Sequence, residues 1–188
     1  GYFTNAMARL GASVTGLDPN PAYIELARAQ APPGATFEVA ALGTPGALDG
    51  VPDGSADYVF MSDALLFYFV PPGPGPAPDL GVLLEDVRRI LRPRGTFVSV
   101  EPHYVFWLQP WLGDVEAPYT VLTEYSRKTF GVTPTPGELV RALARGGFGV
   151  VWMEELAPDP AFEEVDPRAF HFARQFPLWQ LYELRALA

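Results

Sequence analysis

The stretch that decides the fold is Gly1-Tyr2-Phe3-Thr4 followed, after an Ala-rich segment, by Val14-Thr15-Gly16-Leu17-Asp18-Pro19-Asn20-Pro21. It reads as the end of a glycine-rich loop, a helix, a short strand, and an acidic residue where that strand stops. In a doubly wound α/β sheet, a carboxylate at that place accepts hydrogen bonds from the two hydroxyls of a ribose, and the preceding helix N-terminus faces the polar end of the same ligand. Such domains open with a buried strand that feeds the glycine loop. None precedes Gly1, so the sequence predicts a domain incomplete at its N-terminus.

Working outward, Asn20-Pro21 is a helix opening, a side-chain cap followed by a residue whose missing N–H costs nothing at the first helical position. That helix is expected to run to Gln30, before Pro32-Pro33-Gly34, with a second strand over Thr36–Ala40. The Gly-, Pro- and Asp-rich stretch from Leu42 to Ser55 is a loop, and Asp57–Ser62 is a short apolar run of buried-strand type. Pro71–Pro78 alternates Pro with Gly and Ala and reads as a surface loop. Asp79 then caps a helix whose apolar stripe is Leu80, Leu83, Leu84, Val87, Ile90 and Leu91. Pro93 and Gly95 end it ahead of a strand over Thr96–Glu101. Thr135-Pro136-Gly137-Glu138 is a capping box, opening a helix to Arg145 that Gly146-Gly147 closes. Strands are expected at Phe148–Glu154 and Trp179–Ala186. Strands alternating with helices predict an α/β, Rossmann-like, doubly wound and mainly parallel sheet, with one antiparallel C-terminal strand added at the edge.

Size and charge bound the function. A chain of 188 residues, 48% apolar, holds one domain over residues 1–188 and is too short for two full ones. A formal charge of −9, with Lys128 the one lysine, repels phosphate backbones and argues against a nucleic-acid substrate. No apolar run reaches the roughly 18 residues of a membrane span, so the expectation is no membrane partner and, by default, the cytoplasm. Without cysteine there are no disulfides or thiolate metal sites. His103 and His171 are far apart, and the pairs Glu154-Glu155 and Glu163-Glu164 have no histidine at ligand spacing, so no metal site is readable.

The order of elements and the residues at their junctions resemble the class I S-adenosylmethionine-dependent methyltransferases of small-molecule type. Gly1-Tyr2-Phe3-Thr4 is similar to the end of that family's glycine-rich loop, Gly16-Leu17-Asp18-Pro19 to its acidic second motif, and Pro52 to Val59 to the turn into its fourth strand. Leu84 to Val98, with Leu91-Arg92-Pro93-Arg94-Gly95 at its centre, resembles the helix, Leu-(Lys/Arg)-Pro-x-Gly turn and fifth strand. The family's first strand and first two glycines are absent. Ala40-Ala41-Leu42 also stands where many members carry an acidic residue near the adenine, which leaves backbone and apolar contacts from Ala41 and Leu42.

The resemblance implies S-adenosyl-L-methionine as cofactor and methyl transfer to a small-molecule acceptor. Its cofactor-binding candidates are Gly1, Tyr2, Thr4, Asp18, Pro19, Ala41, Leu42, Ser62 and Asp63. Glu101-Pro102-His103-Tyr104 ends the fifth strand of the pattern on the sheet edge where ligands bind. An imidazole titrates near neutrality, so His103 is the candidate base or substrate contact. Leu66, Phe67, Glu101, Tyr104, Trp107 and Trp111 are candidates for an aromatic-lined acceptor pocket. His171, in Phe170-His171-Phe172, is read as structural. Two other functions fit the same fold: a non-catalytic binding domain, and a nicotinamide-dependent oxidoreductase, whose ribose also takes an acid after the second strand. The short-chain form of the latter needs Tyr-x-x-x-Lys. Lys128 has Glu124 four residues before it, which excludes that form.

Overall fold

The computed structural model describes residues 1–69, 78–103 and 134–187, arranged as two compact units, Gly1–Gly50 and Val51–Ala188. The expected loop at Pro71–Pro78 lies almost wholly outside the described residues.

In the first unit, α1 (Tyr2–Arg9) leads to β1 (Val14–Asp18), α2 (Pro21–Arg28) and β2 (Ala35–Val39). The two strands pair in parallel, Val14 opposite Ala35 through Asp18 opposite Val39. A parallel pair needs a crossover, which α2 supplies. Asn20 Oδ1 accepts the Ala22 N–H at 2.9 Å and Pro21 takes the first helical position, as the sequence predicts. The helix ends at Arg28, two residues before the expected Gln30. Pro32 drives the residue before it out of the α conformation, and the chain unwinds through tighter turns, Gln30 N–H to Ala27 O and Ala31 N–H to Arg28 O. Ile24, Ala27 and Phe37 form this unit's core. Two glycines make that packing possible. A Cβ on Gly1 would stand 2.7 Å from the Ala27 Cβ, and one on Gly16 would stand 2.7 Å from the Phe37 ring and 2.8 Å from Thr4 Oγ1.

The second unit contains β3 (Ala56–Ser62), a short 3-10 turn (Leu65–Tyr68), α3 (Leu80–Ile90), β4 (Leu91–Pro102), α4 (Pro136–Arg145), β5 (Phe148–Leu156), α5 (Phe162–Val165), α6 (Pro167–Gln175) and β6 (Trp179–Ala186). Its sheet runs β3-β4-β6-β5, with β3 parallel to β4, and β6 antiparallel to both β4 and β5. The C-terminal strand is the antiparallel one, as expected, but it lies inside the sheet and β5 takes the edge. Burial explains the exchange. Gln180, Tyr182 and Leu184 are buried at alternate positions of β6, whereas β5 is exposed from Val151 to Glu155, with Val151, Trp152 and Met153 apolar and only Glu154 and Glu155 carrying the charge that suits an edge strand.

Asp79 Oδ1 accepts the Val82 N–H at 3.1 Å to start α3, whose Leu83, Leu84, Val87 and Ile90 are buried. Phe97, Leu139, Leu143, Phe148 and Leu184 are also buried in this unit, with the Phe97 and Phe148 rings edge to face at 5.5 Å. β4 begins earlier than the Thr96 the sequence predicts, because Leu91 already pairs with Ala56 before a register shift carries the turn. α5 and α6 are not among the predicted elements. Asp166-Pro167 is nevertheless the same cap-plus-proline signal as Asn20-Pro21, and Asp166 Oδ1 accepts the Ala169 N–H at 2.9 Å.

The capping box of α4 is complete, with Thr135 Oγ1 taking the Glu138 N–H and Glu138 Oε2 taking the Thr135 N–H at 2.8 Å. Thr135→Ala should cost about 0.5–2 kcal/mol in chemical denaturation. A loss indistinguishable from zero would mean that α4 is held by packing alone.

Candidate functional site

The first unit places Asp18 at the carboxyl end of β1. Its Oδ1 accepts the Asn20 N–H at 2.7 Å, which fixes the carboxylate plane at the turn before α2. Among the described residues no hydrogen bond claims Oδ2, so one oxygen is oriented and the other is open to a diol. Ala40 N–H donates to Asp18 O, bringing the Ala40-Ala41-Leu42 segment onto the same strand end, with Ala41 exposed and Leu42 half-buried. Tyr2 is exposed and its ring meets Phe3 edge to face, while the Thr4 hydroxyl lies against Gly16 of β1. Gly1 is the N-cap of α1 and bonds it through its backbone carbonyl to the Asn5 N–H at 3.0 Å. Pro19 is exposed beside Asp18. An oriented carboxylate, a half-buried apolar segment at its side and a helix N-terminus in the same unit are groups that fit a ribose, an adenine and a polar tail.

The second unit gathers its candidates at the carboxyl ends of β3 and β4. Ser62 is half-buried and Asp63 exposed, the latter in the left-handed region at φ 52° with its N–H donated to Val100 O at 2.8 Å. Aspartate is among the non-glycine residues that enter that region most readily. Leu66 is buried and Phe67 is 39% exposed. Glu101 is 4% exposed, with Oε1 accepting Ser99 Oγ–H at 2.6 Å and the Leu65 N–H at 3.2 Å. Its Oε2 is buried and has no hydrogen-bond partner among the described residues. Beside it Tyr182 donates its hydroxyl to Gln180 Oε1 at 2.6 Å. These groups, with Leu65, Leu66, Pro102, Pro134, Pro136 and Leu139, line a cavity of about 20 Å³, enough for a single water.

Burial is the main cause holding the Glu101 carboxyl above its ordinary value, against the Ser99 and Leu65 hydrogen bonds that favour the charged form. Burial and the neighbouring Glu101 also push the Tyr182 hydroxyl up to about 12. The folded chain therefore binds a proton at Glu101 more tightly than the unfolded chain, whose carboxyl titrates near 4.5. The stability this gives is full below that value and is lost as pH rises through the folded one. Glu101→Gln keeps an acceptor for Ser99 and Leu65 without the charge, and should raise Tm at pH 8 over the parent by at least roughly 2–4 °C. An equal Tm at pH 8, with the two curves parallel in pH, would place a charged and well-solvated Glu101 there.

His103 is 7% exposed, its N–H bonded to Leu178 O at 2.8 Å. Its Nε2 lies 3.8 Å from Glu155 Oε1 of β5, and burial holds the imidazole below its ordinary value, with Glu155 acting the other way. His171 sits on α6 with Nε2 3.4 Å from Glu163 Oε1, both side chains exposed. Tyr104, Trp107 and Trp111 lie outside the described residues. Ser99, Glu155, Gln180 and Tyr182 are absent from the sequence-based candidates. Only the spacing of Ser99 and Glu101, two apart on one strand face, carries a signal for them. No group of carboxylates and histidines among the described residues is arranged to hold a metal ion, and no helix among them is long and apolar enough to cross a membrane.

A methyltransferase domain family model matches residues 1–99, over half of the chain. Among solved structures, an S-adenosylmethionine-dependent methyltransferase from Mesorhizobium loti is similar at 26% identity and a TM-score of 0.68, covering 98% of this chain and 86% of that one. A second such protein, from Listeria monocytogenes, reaches a TM-score of 0.72 at 17% identity, covering 100% of this chain and 86% of that one. Geranyl diphosphate C-methyltransferase from Streptomyces coelicolor A3(2) shares the fold at 17% identity and a TM-score of 0.61, over 100% of this chain and 68% of that one. No curated protein sequence matches. Family match, fold and the oriented carboxylate after β1 agree: the chain belongs to the methyltransferase-domain family, as a class I enzyme whose cofactor is S-adenosyl-L-methionine.

Proposed function

We propose that this methyltransferase, with residues 1–188 forming one domain, acts in the cytoplasm on a small, partly apolar acceptor. The observation that supports it is the company of buried polar groups and apolar side chains at the carboxyl ends of β3 and β4. Glu101 is buried there beside Leu65 and Leu66, and His103 is buried just past the end of β4. That mixture suits an acceptor with an apolar body and one polar handle. The chain's charge of −9 disfavours a nucleic-acid or anionic-membrane partner.

In this reading Asp18 binds the ribose, Gly1, Tyr2 and Thr4 meet the polar tail, Pro19, Ala41 and Leu42 flank the adenine, and Ser62 and Asp63 are further cofactor-binding candidates. Leu66, Phe67, Glu101, Tyr104, Trp107 and Trp111 are the acceptor-binding candidates of this reading. The bound cofactor supplies a methyl group already activated by its sulfonium. What remains for the protein is to hold the acceptor in line with that methyl group and to keep water away. In the same reading His103, buried and with its imidazole held below its ordinary value, takes the proton of a hydroxyl acceptor.

Incubation with methyl-labelled S-adenosyl-L-methionine and a cell extract separated by size tests the acceptor class. Label should accumulate in the low-molecular-weight fraction. Label confined to protein or nucleic acid would overturn the proposal.

A further inference from the structure

The amino end of β4 carries a feature that methyl transfer does not use. Arg88, Arg92, Arg94 and Arg185 surround a cleft of about 250 Å³ whose other walls are Leu91, Pro93, Gly95 and Ala186. Four of the chain's twelve arginines meet here, in a protein of net charge −9. The cleft lies at the end of β4 away from Glu101.

Three local features build it. Arg94 sits in the left-handed region at φ 68°, so the Arg92-Pro93-Arg94-Gly95 turn projects from the end of α3. Arg185 of β6 donates to the Arg94 carbonyl and, at 2.8 Å, to Glu183 Oε1, which ties the turn to the next strand. Gly147, at φ 82°, leaves room for the Arg88 guanidinium, since a Cβ there would stand 2.9 Å from Arg88 Nη1.

The charges do not cancel. Arg92 is paired with Asp57 at 2.5 Å and Arg185 with Glu183, while among the described residues no carboxylate pairs with Arg88 or Arg94. Four guanidiniums against two carboxylates leave two positive charges beside the cleft. The C-terminal carbonyls of α3 oppose them with roughly half a charge. Guanidinium forks match phosphate oxygens two at a time, and arginine is the residue of choice for such recognition.

We propose that this cleft is a binding site for a compact phosphorylated small molecule of diphosphate type. A concave site of this size takes a short polyanion. An extended one, such as a nucleic-acid backbone or a membrane surface, meets the repulsion of the remaining acidic surface.

Calorimetric titration of the 188-residue chain with sodium pyrophosphate tests this, with the R88Q/R94Q double variant and Arg141→Gln, on α4, as a control. Expected is binding tighter than about 1 mM that persists at about 0.15 M salt, falls roughly tenfold or more in the double variant, and is unchanged in the control. Pyrophosphate should also raise the Tm of the parent and not that of the double variant. Arg88 and Arg94 are exposed and lack carboxylate partners, so the double variant should melt like the parent without ligand. Absence of binding in the parent, equal loss in the control, or attraction that vanishes at about 0.15 M salt would overturn the proposal. So would co-sedimentation with phosphatidic acid vesicles in the absence of any pyrophosphate titration.

Discussion

Asp18→Ala lowers the affinity for S-adenosyl-L-methionine by roughly 10- to 100-fold or more in a calorimetric titration. A hydrogen bond to a charged group contributes on the order of 1.5–3 kcal/mol, and a ribose offers two hydroxyls to one carboxylate. Asn20 N–H, 2.7 Å from Oδ1, holds that carboxylate in one orientation before any ligand arrives. Asp18→Asn keeps the acceptor for Asn20 and loses the charge, so it should fall between the parent and the alanine variant. Removing the side chain also leaves the Asn20 N–H without this partner, which is why melting without ligand belongs beside the titration. An affinity equal to the parent's, in a variant that melts normally, would remove Asp18 from the site.

His103→Ala lowers the single-turnover rate by roughly 100-fold or more when the acceptor is a hydroxyl, with cofactor affinity little changed. Position and protonation both enter. Burial holds the imidazole below its ordinary 6.5, so at pH 7 the basic form dominates. The parent's rate should therefore fall on the acid side with a midpoint below 6.5, as the ring takes up a proton. The alanine variant should lose this limb of the profile along with the rate. A rate within a few-fold of the parent would leave positioning alone as the source of catalysis.

Most of the fold was legible because its punctuation is local. Asn20-Pro21, Asp79, Thr135-Pro136-Gly137-Glu138 and Gly146-Gly147 each act within a turn of chain, and the structure places caps and stops at all of them. The place of β6 inside the sheet was not legible. Strand order depends on which faces find burial, and two consecutive antiparallel strands carry no local mark of which one goes inward. The candidate site divides in the same way. Asp18 is marked by where its strand stops. The cluster of Ser99, Glu101, Gln180 and Tyr182 is assembled by the β4–β6 register, Ser99 opposite Tyr182 and Glu101 opposite Gln180, a pairing across some eighty residues that no short motif encodes.

That register also bears on how the chain is made. Synthesis delivers β4 and β5 well before β6, yet neither pairs with the other, and each needs β6 as its neighbour. Until Trp179–Ala186 has left the ribosome, β4 lacks its neighbour on the Phe97 side and β5 has, among the described residues, no strand to join. Long-range pairing of this kind is slow to form and leaves strand edges exposed meanwhile. The sheet order β3-β4-β6-β5 therefore cannot be completed until β6 is available. A chain stopped before Trp179 should be caught by chaperones or aggregate, whatever the quality of its helices.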